Sequence, residues 1–215
     1  MIAIIDYGAG NLRSVSRAVA LYTPDFVVTQ DPADVERAAA VILPGVGAAG
    51  DTIRGLERHG MTEVVQETIA SGKPYFGICM GLQVLLTESE EDGGTPCLDI
   101  YPGVVRRFPK GLTVPHMGWN QVRQTQEHPM FAGIPDDAYF YFVHSYYTDP
   151  EDTALTAGAT DYGVTFPSVI AQENVFATQF HPEKSAGMGL RLYENFVAWA
   201  TGARPGVARG VRVGP

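Results

Sequence analysis

The residues of this chain best suited to chemistry are a cysteine framed by glycines and a histidine followed by proline and glutamate. Cys79 lies between Gly77 and Gly81, after one apolar run and before another at 82–86. This pattern is typical of a nucleophile elbow, in which a strand turns sharply into a helix, here with a thiol as nucleophile. The turn leaves no room for flanking side chains, and the helix N-terminus stabilises a thiolate. We therefore predict that Cys79 is a nucleophile rather than a small buried hydrophobe.

A thiol nucleophile needs a base, and His181 is the candidate that the surrounding sequence favours. It follows a strand-like run at 175–180 and precedes Pro182, which ends the strand. Because the carboxyl ends of strands border the ligand crevice in open α/β sheets, we expect His181 and Cys79 to meet there. Glu183 can accept the Nδ1 proton and orient the ring. Alone, His-Pro-Glu fits a strand end beside a solvated glutamate; together with the elbow it predicts a Cys-His-Glu triad.

The other four histidines are weaker candidates. His59 follows a charged helical stretch and His128 adjoins a proline in a turn-like region, so both are expected on the solvated surface. His116 and His144 lie at the boundaries of apolar strand-like runs. For these two, we expect a structural role with satisfied hydrogen bonds.

Acyl transfer through a thiol also needs hydrogen-bond donors for the developing oxyanion. One donor is expected from the backbone N–H of Met80, directly after the nucleophile. Others are expected from the glycine-rich segment 44–47, which follows an apolar strand and opens on the same crevice. By itself this segment is only a turn signal, so its assignment depends on the elbow.

The elements that must position these residues change character along the chain. Apolar runs alternate with segments of helical periodicity in the first half, and strands are predicted at 1–6, 26–28, 39–43 and 75–78, with helices near 12–19 and 61–70. The second half has short β-branched or aromatic runs at 104–107, 120–122, 139–143, 164–166, 169–171 and 175–179, before a last helix over 190–200. The sequence thus predicts an α/β fold: a mostly parallel central sheet flanked by helices, with added antiparallel strands in the second half.

The composition is that of an ordinary soluble globular protein: 215 residues, of which 45% are hydrophobic and 18% charged. We predict a single domain over 1–201 and a disordered tail rich in glycine and proline over 202–215. The net charge of -9 disfavours binding to nucleic acid or to anionic membranes. Two cysteines and no signal-like or membrane-spanning run indicate a cytoplasmic protein with reduced thiols, although the sequence leaves a disulfide between Cys79 and Cys97 open. No residue pattern predicts a metal or a cofactor.

Several motifs resemble one known family, and the resemblance extends from Met1 to about Thr201. Gly-Ile-Cys-Met-Gly-Leu-Gln at 77–83 and Gln-Phe-His-Pro-Glu at 179–183 resemble the triad glutamine amidotransferases, which hydrolyse glutamine through a thioester and pass ammonia to a partner. Within that family, the glutaminase subunits of imidazole glycerol phosphate synthases are similar at 6–12, 44–47, 115–120 and 142–146.

The resemblance implies roles for individual residues. It implies a catalytic triad of Cys79, His181 and Glu183, and an oxyanion hole formed by the N–H groups of Val46 and Met80. Positions near the bound glutamine would be Gly47, Gln83, His144, Ser145 and Tyr146. The implied partner is a cyclase subunit with a (β/α)₈ barrel, which forms a heterodimer with this chain and receives its ammonia. Positions facing that partner would be Asn11, Ser14, Arg17, Trp119, Tyr141 and Lys184.

Three other functions remain open at this point. The chain would also fit a glutaminase of another amidotransferase, such as those of pyridoxal phosphate or aminodeoxychorismate synthesis. A catalytically silent binding or regulatory module could keep the same fold. A free-standing thiol hydrolase is less favoured, because so short a chain shows no separate substrate domain or lid. Trp119 and Tyr141 could likewise be core aromatics, and Arg17 and Lys184 plain solvated charges.

Overall fold

The computed structural model describes residues 1–202; the predicted tail, apart from Gly202, lies outside the described residues. Thirteen strands occur in the described part: β1 Ile2–Ile5, β2 Phe26–Thr29, β3 Ala40–Gly45, β4 Tyr75–Cys79, β5 Leu86–Ser89, β6 Thr95–Pro96, β7 Tyr101–Arg107, β8 His116–Gln124, β9 Ala138–His144, β10 Tyr146–Pro150, β11 Thr156–Asp161, β12 Thr165–Gln172 and β13 Val175–Thr178. Six α-helices occur there as well: α1 Leu12–Ala20, α2 Pro32–Arg37, α3 Ala49–Arg58, α4 Met61–Ala70, α5 Met80–Gln83 and α6 Ala186–Thr201.

The main sheet has nine strands within residues 1–202, in the order β2-β1-β3-β4-β13-β12-β11-β8-β9. Its first five strands are parallel to one another. From β13 onward each neighbouring pair is antiparallel. The α/β prediction, with a parallel first part and antiparallel strands added by the second half, is therefore confirmed.

A smaller sheet of four strands, ordered β10-β7-β5-β6, was not predicted. It begins at Leu86, inside the apolar run that the sequence assigned to the elbow helix. That helix, α5, ends at Gln83 after a single turn. The prediction of a longer helix was wrong because a short continuous apolar run fits a buried strand as well as a buried helix.

Helices cover the main sheet and complete a hydrophobic core on each of its faces. Along β1 the alternation is visible directly, since Ile2 and Ile4 belong to one buried cluster and Ala3 and Ile5 to the other. Helix α4 was predicted with its observed bounds, and α6 begins four residues before its predicted start. Helix α2 was not predicted, and α3 corresponds to the charged helical stretch noted before His59. Within residues 1–202 no helix combines the length and apolar character needed to cross a membrane.

The expectation of solvated surface was wrong for His128. His59 is half-buried at the end of α3. The His128 ring packs against Phe176 and Trp199, with ring centroids 4.9 and 5.2 Å apart, and burial lowers its pKa to about 4. Both packing partners lie more than 45 residues away in sequence, so no local pattern at His128 could have indicated its burial.

Candidate active site

Cys79 occupies a sharp turn between β4 and α5, as the elbow pattern predicts. Its backbone has φ 54° and ψ -100°, a conformation that residues other than glycine adopt rarely. A Cβ atom at Gly77 would collide with the Gly81 carbonyl, and one at Gly81 would collide with the Leu43 carbonyl. The flanking glycines are therefore required because backbone passes directly over both positions.

The single turn of α5 changes how the sulfur can be stabilised. A helix macrodipole grows with the number of aligned peptide units, so one turn contributes little. The thiol of Cys79 is nearly buried, which withdraws it from water as well. Stabilisation of a thiolate here must come from individual hydrogen-bond donors and charges rather than from the helix as a whole.

His181 and Glu183 form a buried pair beside the cysteine. The Nδ1 atom of His181 lies 2.9 Å from Oε1 of Glu183, and the two side chains are 2% and 1% exposed. Burial lowers the pKa of His181, but the charge and proximity of Cys79 and the hydrogen bond to Glu183 outweigh it and raise that pKa to about 10. The imidazole is thus equipped to hold a proton released by the thiol.

Two buried atoms of this pair have no hydrogen-bond partner within residues 1–202: Nε2 of His181 and Oε2 of Glu183. Nε2 is close enough to Cys79 for a thiolate there to raise the histidine pKa, although Nε2 has no formed hydrogen-bond partner. Catalytic hydrogen bonds are often loose before substrate binds. Oε1 of Glu183 also accepts a long hydrogen bond, 3.4 Å, from Nδ2 of Asn11.

The segment that follows β3 lies directly beside the elbow. Gly45 pairs with Cys79 across the parallel strands β3 and β4, so Val46 and Gly47 come next to the sulfur. A Cβ atom at Gly45 would lie 2.5 Å from the Met80 Cβ, which leaves no room for a side chain. Gly47 has a φ of +96°, which glycine adopts without strain. Gly45 is therefore required for steric reasons, and Gly47 is required for its backbone conformation.

A cavity of about 370 Å³ opens above the cysteine. Its lining is Val46, Gly47, Cys79, Met80, Gln83, Glu91, Pro115, Val143, His144, Ser145, Tyr146, His181 and Lys184. All predicted catalytic, oxyanion and substrate positions line it except Glu183, which lies behind His181. The volume suits a single amino acid. Within residues 1–202 no group of three or more His, Cys, Asp or Glu side chains is arranged to hold a metal ion.

Glu91 lines this cavity, and the sequence analysis did not identify it. Its Oε2 atom accepts a hydrogen bond of 2.7 Å from the Ala49 N–H at the start of α3. Burial raises the pKa of Glu91, the Ala49 hydrogen bond opposes this, and nearby Asp92 and Asp51 add to the rise. The residue sits in an acidic run, Glu88 to Asp92, that resembles an ordinary solvated segment. The only local signal was its position about a dozen residues after Cys79.

His116 and His144 form a buried neutral pair at one wall of the cavity. His144 Nδ1 donates to the Tyr146 carbonyl at 2.8 Å, and His116 Nδ1 donates to His144 Nε2 at 2.9 Å. A carbonyl can only accept, so this order of donors fixes the tautomer of both rings. Burial lowers the pKa of His116 to about 4 and that of His144 to about 3. The expected structural role with satisfied hydrogen bonds matches this arrangement.

Three predicted partner-facing residues lie on strands β8 and β9 and in the turn after His181, and one of them, Lys184, lines the cavity. Trp119 is 52% exposed and meets Tyr141 edge-on, with ring centroids 6.1 Å apart. The Tyr141 carbonyl accepts the His181 N–H at 2.9 Å, which ties this surface to the triad. Lys184 is exposed at the rim. Trp119 is therefore not a core aromatic.

The remaining predicted interface positions belong to the start of α1. Asn11 precedes this helix and is half-buried against Glu183, while Ser14 is half-buried and Arg17 is exposed. Helix α1 packs near the turn Pro182–Lys184. The hydrogen bond from Asn11 to Glu183 thus places the start of α1 against the triad.

A cysteine at a strand-to-helix turn, beside a histidine bound to a carboxylate at the carboxyl edge of an α/β sheet, is the arrangement of enzymes that transfer acyl groups through a thioester. The model of the class-I glutamine amidotransferase family matches residues 3–199. The chain belongs to that family.

Two relatives and one solved structure are similar to this chain over more than nine-tenths of its length. The imidazole glycerol phosphate synthase subunit HisH of Dehalococcoides mccartyi strain CBDB1 is 50% identical over 202 residues, covering 94% of this chain and 98% of the relative. The subunit of that name from Chloroflexus aurantiacus strain ATCC 29364 is 51% identical over 209 residues, covering 95% and 99%. The solved structure of PurLQS from Thermotoga maritima has a TM-score of 0.71 at 16% identity, covering 92% of this chain and 97% of that chain, and supports the fold alone.

Proposed function

We infer that this chain is the glutaminase subunit of an imidazole glycerol phosphate synthase, in histidine biosynthesis. The observation that carries this inference is the identity of about half of all residues, over nearly the whole length, to relatives of that name. The cavity above Cys79 is consistent with it, because it combines a thiol, an imidazole and room for one amino acid.

The proposed reaction has two halves. In the first, Nε2 of His181 holds the proton that the Cys79 thiol has released, and the thiolate attacks the side-chain amide carbon of glutamine. The backbone N–H groups of Val46 and Met80 stabilise the oxyanion, and His181 returns the proton to the departing ammonia. In the second, water attacks the γ-glutamyl thioester, loses a proton to His181 and releases glutamate. Glu183 orients the imidazole and stabilises its charged form.

Recognition of glutamine requires partners for its α-amino and α-carboxylate groups. Glu91 is the carboxylate that lines the cavity, and we assign it to the α-ammonium group. Its hydrogen bond from Ala49 fixes the side chain in place before substrate arrives. The positions Gly47, Gln83, His144, Ser145 and Tyr146 are assigned to the remaining contacts with glutamine.

The proposed partner is a cyclase subunit with a (β/α)₈ barrel, which docks over the cavity in a heterodimer and uses the ammonia. The assembled enzyme is then the cytoplasmic lyase of the pathway, and residues 1–201 are its single glutaminase domain. The surface assigned to this contact consists of Asn11, Ser14, Arg17, Trp119, Tyr141 and Lys184. Trp119 is half-exposed and packs against Tyr141, whose carbonyl accepts the His181 N–H. This supports docking there, since large aromatics are enriched at interfaces.

The direct test compares two nitrogen sources in the complex with the cyclase subunit. Cys79→Ala should abolish synthesis from glutamine and leave synthesis from added ammonium within about twofold, because only ammonia generation is lost. Cys97→Ala is the matched control, since Cys97 is a free thiol outside the cavity and its loss should preserve both activities.

Other outcomes identify the competing functions. Loss of both activities in Cys79→Ala would refute the division of labour between the subunits. Failure of the cyclase to bind the chain, with stimulation by a different synthase, would identify another amidotransferase. Glutaminase activity that is complete without any partner would identify a free-standing hydrolase, and no activity with any partner would identify a silent module.

A further inference from the structure

Gln179, the residue directly after β13, contacts the nucleophile. Its side chain is fully buried, and its Nε2 atom donates a hydrogen bond to Sγ of Cys79 at 3.7 Å. We propose that Gln179 is a catalytic residue, whose amide N–H stabilises the Cys79 sulfur whenever that sulfur carries negative charge. This inference rests on the thioester reaction proposed above and assigns it a residue outside the triad and the oxyanion hole.

The orientation of the Gln179 amide is determined by its neighbours. Gln83 Nε2 donates to the Tyr146 carbonyl at 3.0 Å and to Gln179 Oε1 at 3.0 Å. Because the Tyr146 carbonyl can only accept, the NH₂ group of Gln83 must point towards both Tyr146 and Gln179. The acceptor in Gln179 is therefore its Oε1 atom. Reversing the Gln179 amide would place two NH₂ groups against each other. Its N–H donors therefore face the sulfur.

The sulfur has few alternative donors. Within residues 1–202, the Gln179 amide makes the formed side-chain hydrogen bond to Cys79 Sγ, whereas Nε2 of His181 has no formed partner. Helix α5 is one turn long and adds little dipole. An anion withdrawn from water needs hydrogen bonds to replace its hydration. Gln179 supplies one that is already in place before substrate binds.

The electron movements of the reaction show where this donor acts. The thiolate carries charge after its proton moves to His181, and that charge passes to the carbonyl oxygen of glutamine as the C–S bond forms. When water has added to the thioester, the C–S bond breaks and its electron pair returns to sulfur. At both points the Gln179 N–H meets a negatively charged sulfur, so it favours thiolate formation and thiolate departure.

The test is the reactivity of Cys79 in a Cys97→Ala background, with the cyclase subunit bound. Gln179→Met fills similar space without the N–H donor. A hydrogen bond to a charged group shifts the ionisation equilibrium of that group about ten- to hundredfold. Losing the bond therefore lowers the fraction of thiolate. The remaining thiolate is more nucleophilic, which offsets about half of this loss on a logarithmic scale. We therefore expect the rate of alkylation by iodoacetamide at pH 7 to fall about three- to tenfold, with lower thiolate absorbance near 240 nm.

Thr178→Val is the matched control. Thr178 directly precedes Gln179 and is equally buried. Its change to valine removes the hydrogen bond to the Phe180 carbonyl, whereas the hydrogen bond from Gln179 to the sulfur remains. Its alkylation rate should equal that of wild type. Equal rates for Gln179→Met and wild type would overturn the proposal, and equal losses in both variants would assign the effect to general loosening of β13.

A measurement on the unsubstituted residue decides the case if Gln179→Met does not fold. In protein labelled with ¹⁵N-glutamine, the side-chain amide resonances of Gln179 should shift when Cys79 is changed to Ala. Unchanged resonances would overturn the proposal. Neither experiment requires glutaminase activity, so an inactive wild-type complex would refute the proposed function separately from this role of Gln179.

Discussion

The triad and the histidine pair are two buried polar regions of the same cavity wall, and they favour opposite charge states. His181 is nearly fully buried with its pKa raised to about 10, whereas His116 and His144 are equally buried with pKa values lowered to about 4 and 3. Burial acts in the same direction on all three rings. The difference lies in their partners, because Glu183 and Cys79 favour a charged ring and a backbone carbonyl does not require one.

The two regions also influence each other. Proximity to the positive charge of His181 is one of the causes that lower the pKa of His144, after burial itself. A charged triad imidazole therefore helps to keep the neighbouring pair neutral. The neutral pair in turn holds the Tyr146 carbonyl, to which Gln83 donates, so it positions the cavity wall without adding charge.

The largest expected effect comes from removing the Glu183 carboxylate, which favours a charged histidine in the triad. Glu183→Gln keeps the shape of the side chain but takes away the charge that stabilises the imidazolium, and its amide can donate to Nδ1 and select the wrong tautomer. By analogy with catalytic triads, the glutaminase kcat should fall about thousand- to ten-thousandfold. Steady-state kinetics in the complex should show little change in KM.

Glu194→Gln is the control for this substitution, since Glu194 pairs with Arg191 on α6 away from the cavity. Its kcat should match wild type. Normal turnover in the Glu183→Gln enzyme would show that Glu183 is not part of the triad. It would also contradict the proposed difference between the two regions.

A smaller effect, on the free energy of unfolding, is expected when acid protonates the neutral histidines. His116, His128 and His144 have folded pKa values of about 4, 4 and 3, against about 6.5 in an unfolded chain. Below pH 6.5 the unfolded state binds more protons, so this stabilisation is complete above pH 6.5 and is lost as the pH falls towards 4. Urea unfolding between pH 6.5 and 4 should show a loss of several kcal/mol. His181 does not oppose it, because below pH 6.5 that ring is protonated in both states.

The His128→Asn variant measures how much of this loss of unfolding free energy at low pH comes from His128. Asparagine does not titrate and can still accept the hydrogen bond that Met130 N–H gives to His128 Nδ1. The loss of unfolding free energy between pH 6.5 and 4 should shrink by up to about 3 kcal/mol. An identical pH profile in the variant would show that this histidine is not kept neutral by burial.

Much of the first half of the fold could be predicted because its signals are local. The elbow needs Gly77 and Gly81 for steric reasons that the sequence displays, and α4 shows an unbroken helical period. The meeting of Cys79 and His181 followed from strand topology alone. These features depend on residues that are neighbours in sequence or on the general geometry of parallel sheets.

Other features depend on contacts between distant segments, which no local pattern encodes. The small sheet pairs β7 with β10, about forty residues further along, and β5 lies inside a run that fits a helix equally well. Glu91 faces the cavity because Ala49 holds it there. The Gln179 amide meets a sulfur one hundred residues away. In each case the decisive partner is set by the tertiary packing.

The most direct test of the contrast between the two regions is to observe the histidine protons themselves. Nitrogen-15 NMR of histidine-labelled protein at pH 7, assigned with His116→Gln and Glu183→Gln variants, reports how many protons each ring carries. We predict that His181 carries protons on both ring nitrogens, and that His116 and His144 each carry one, on Nδ1. A neutral His181 or a charged His144 at this pH would contradict the account.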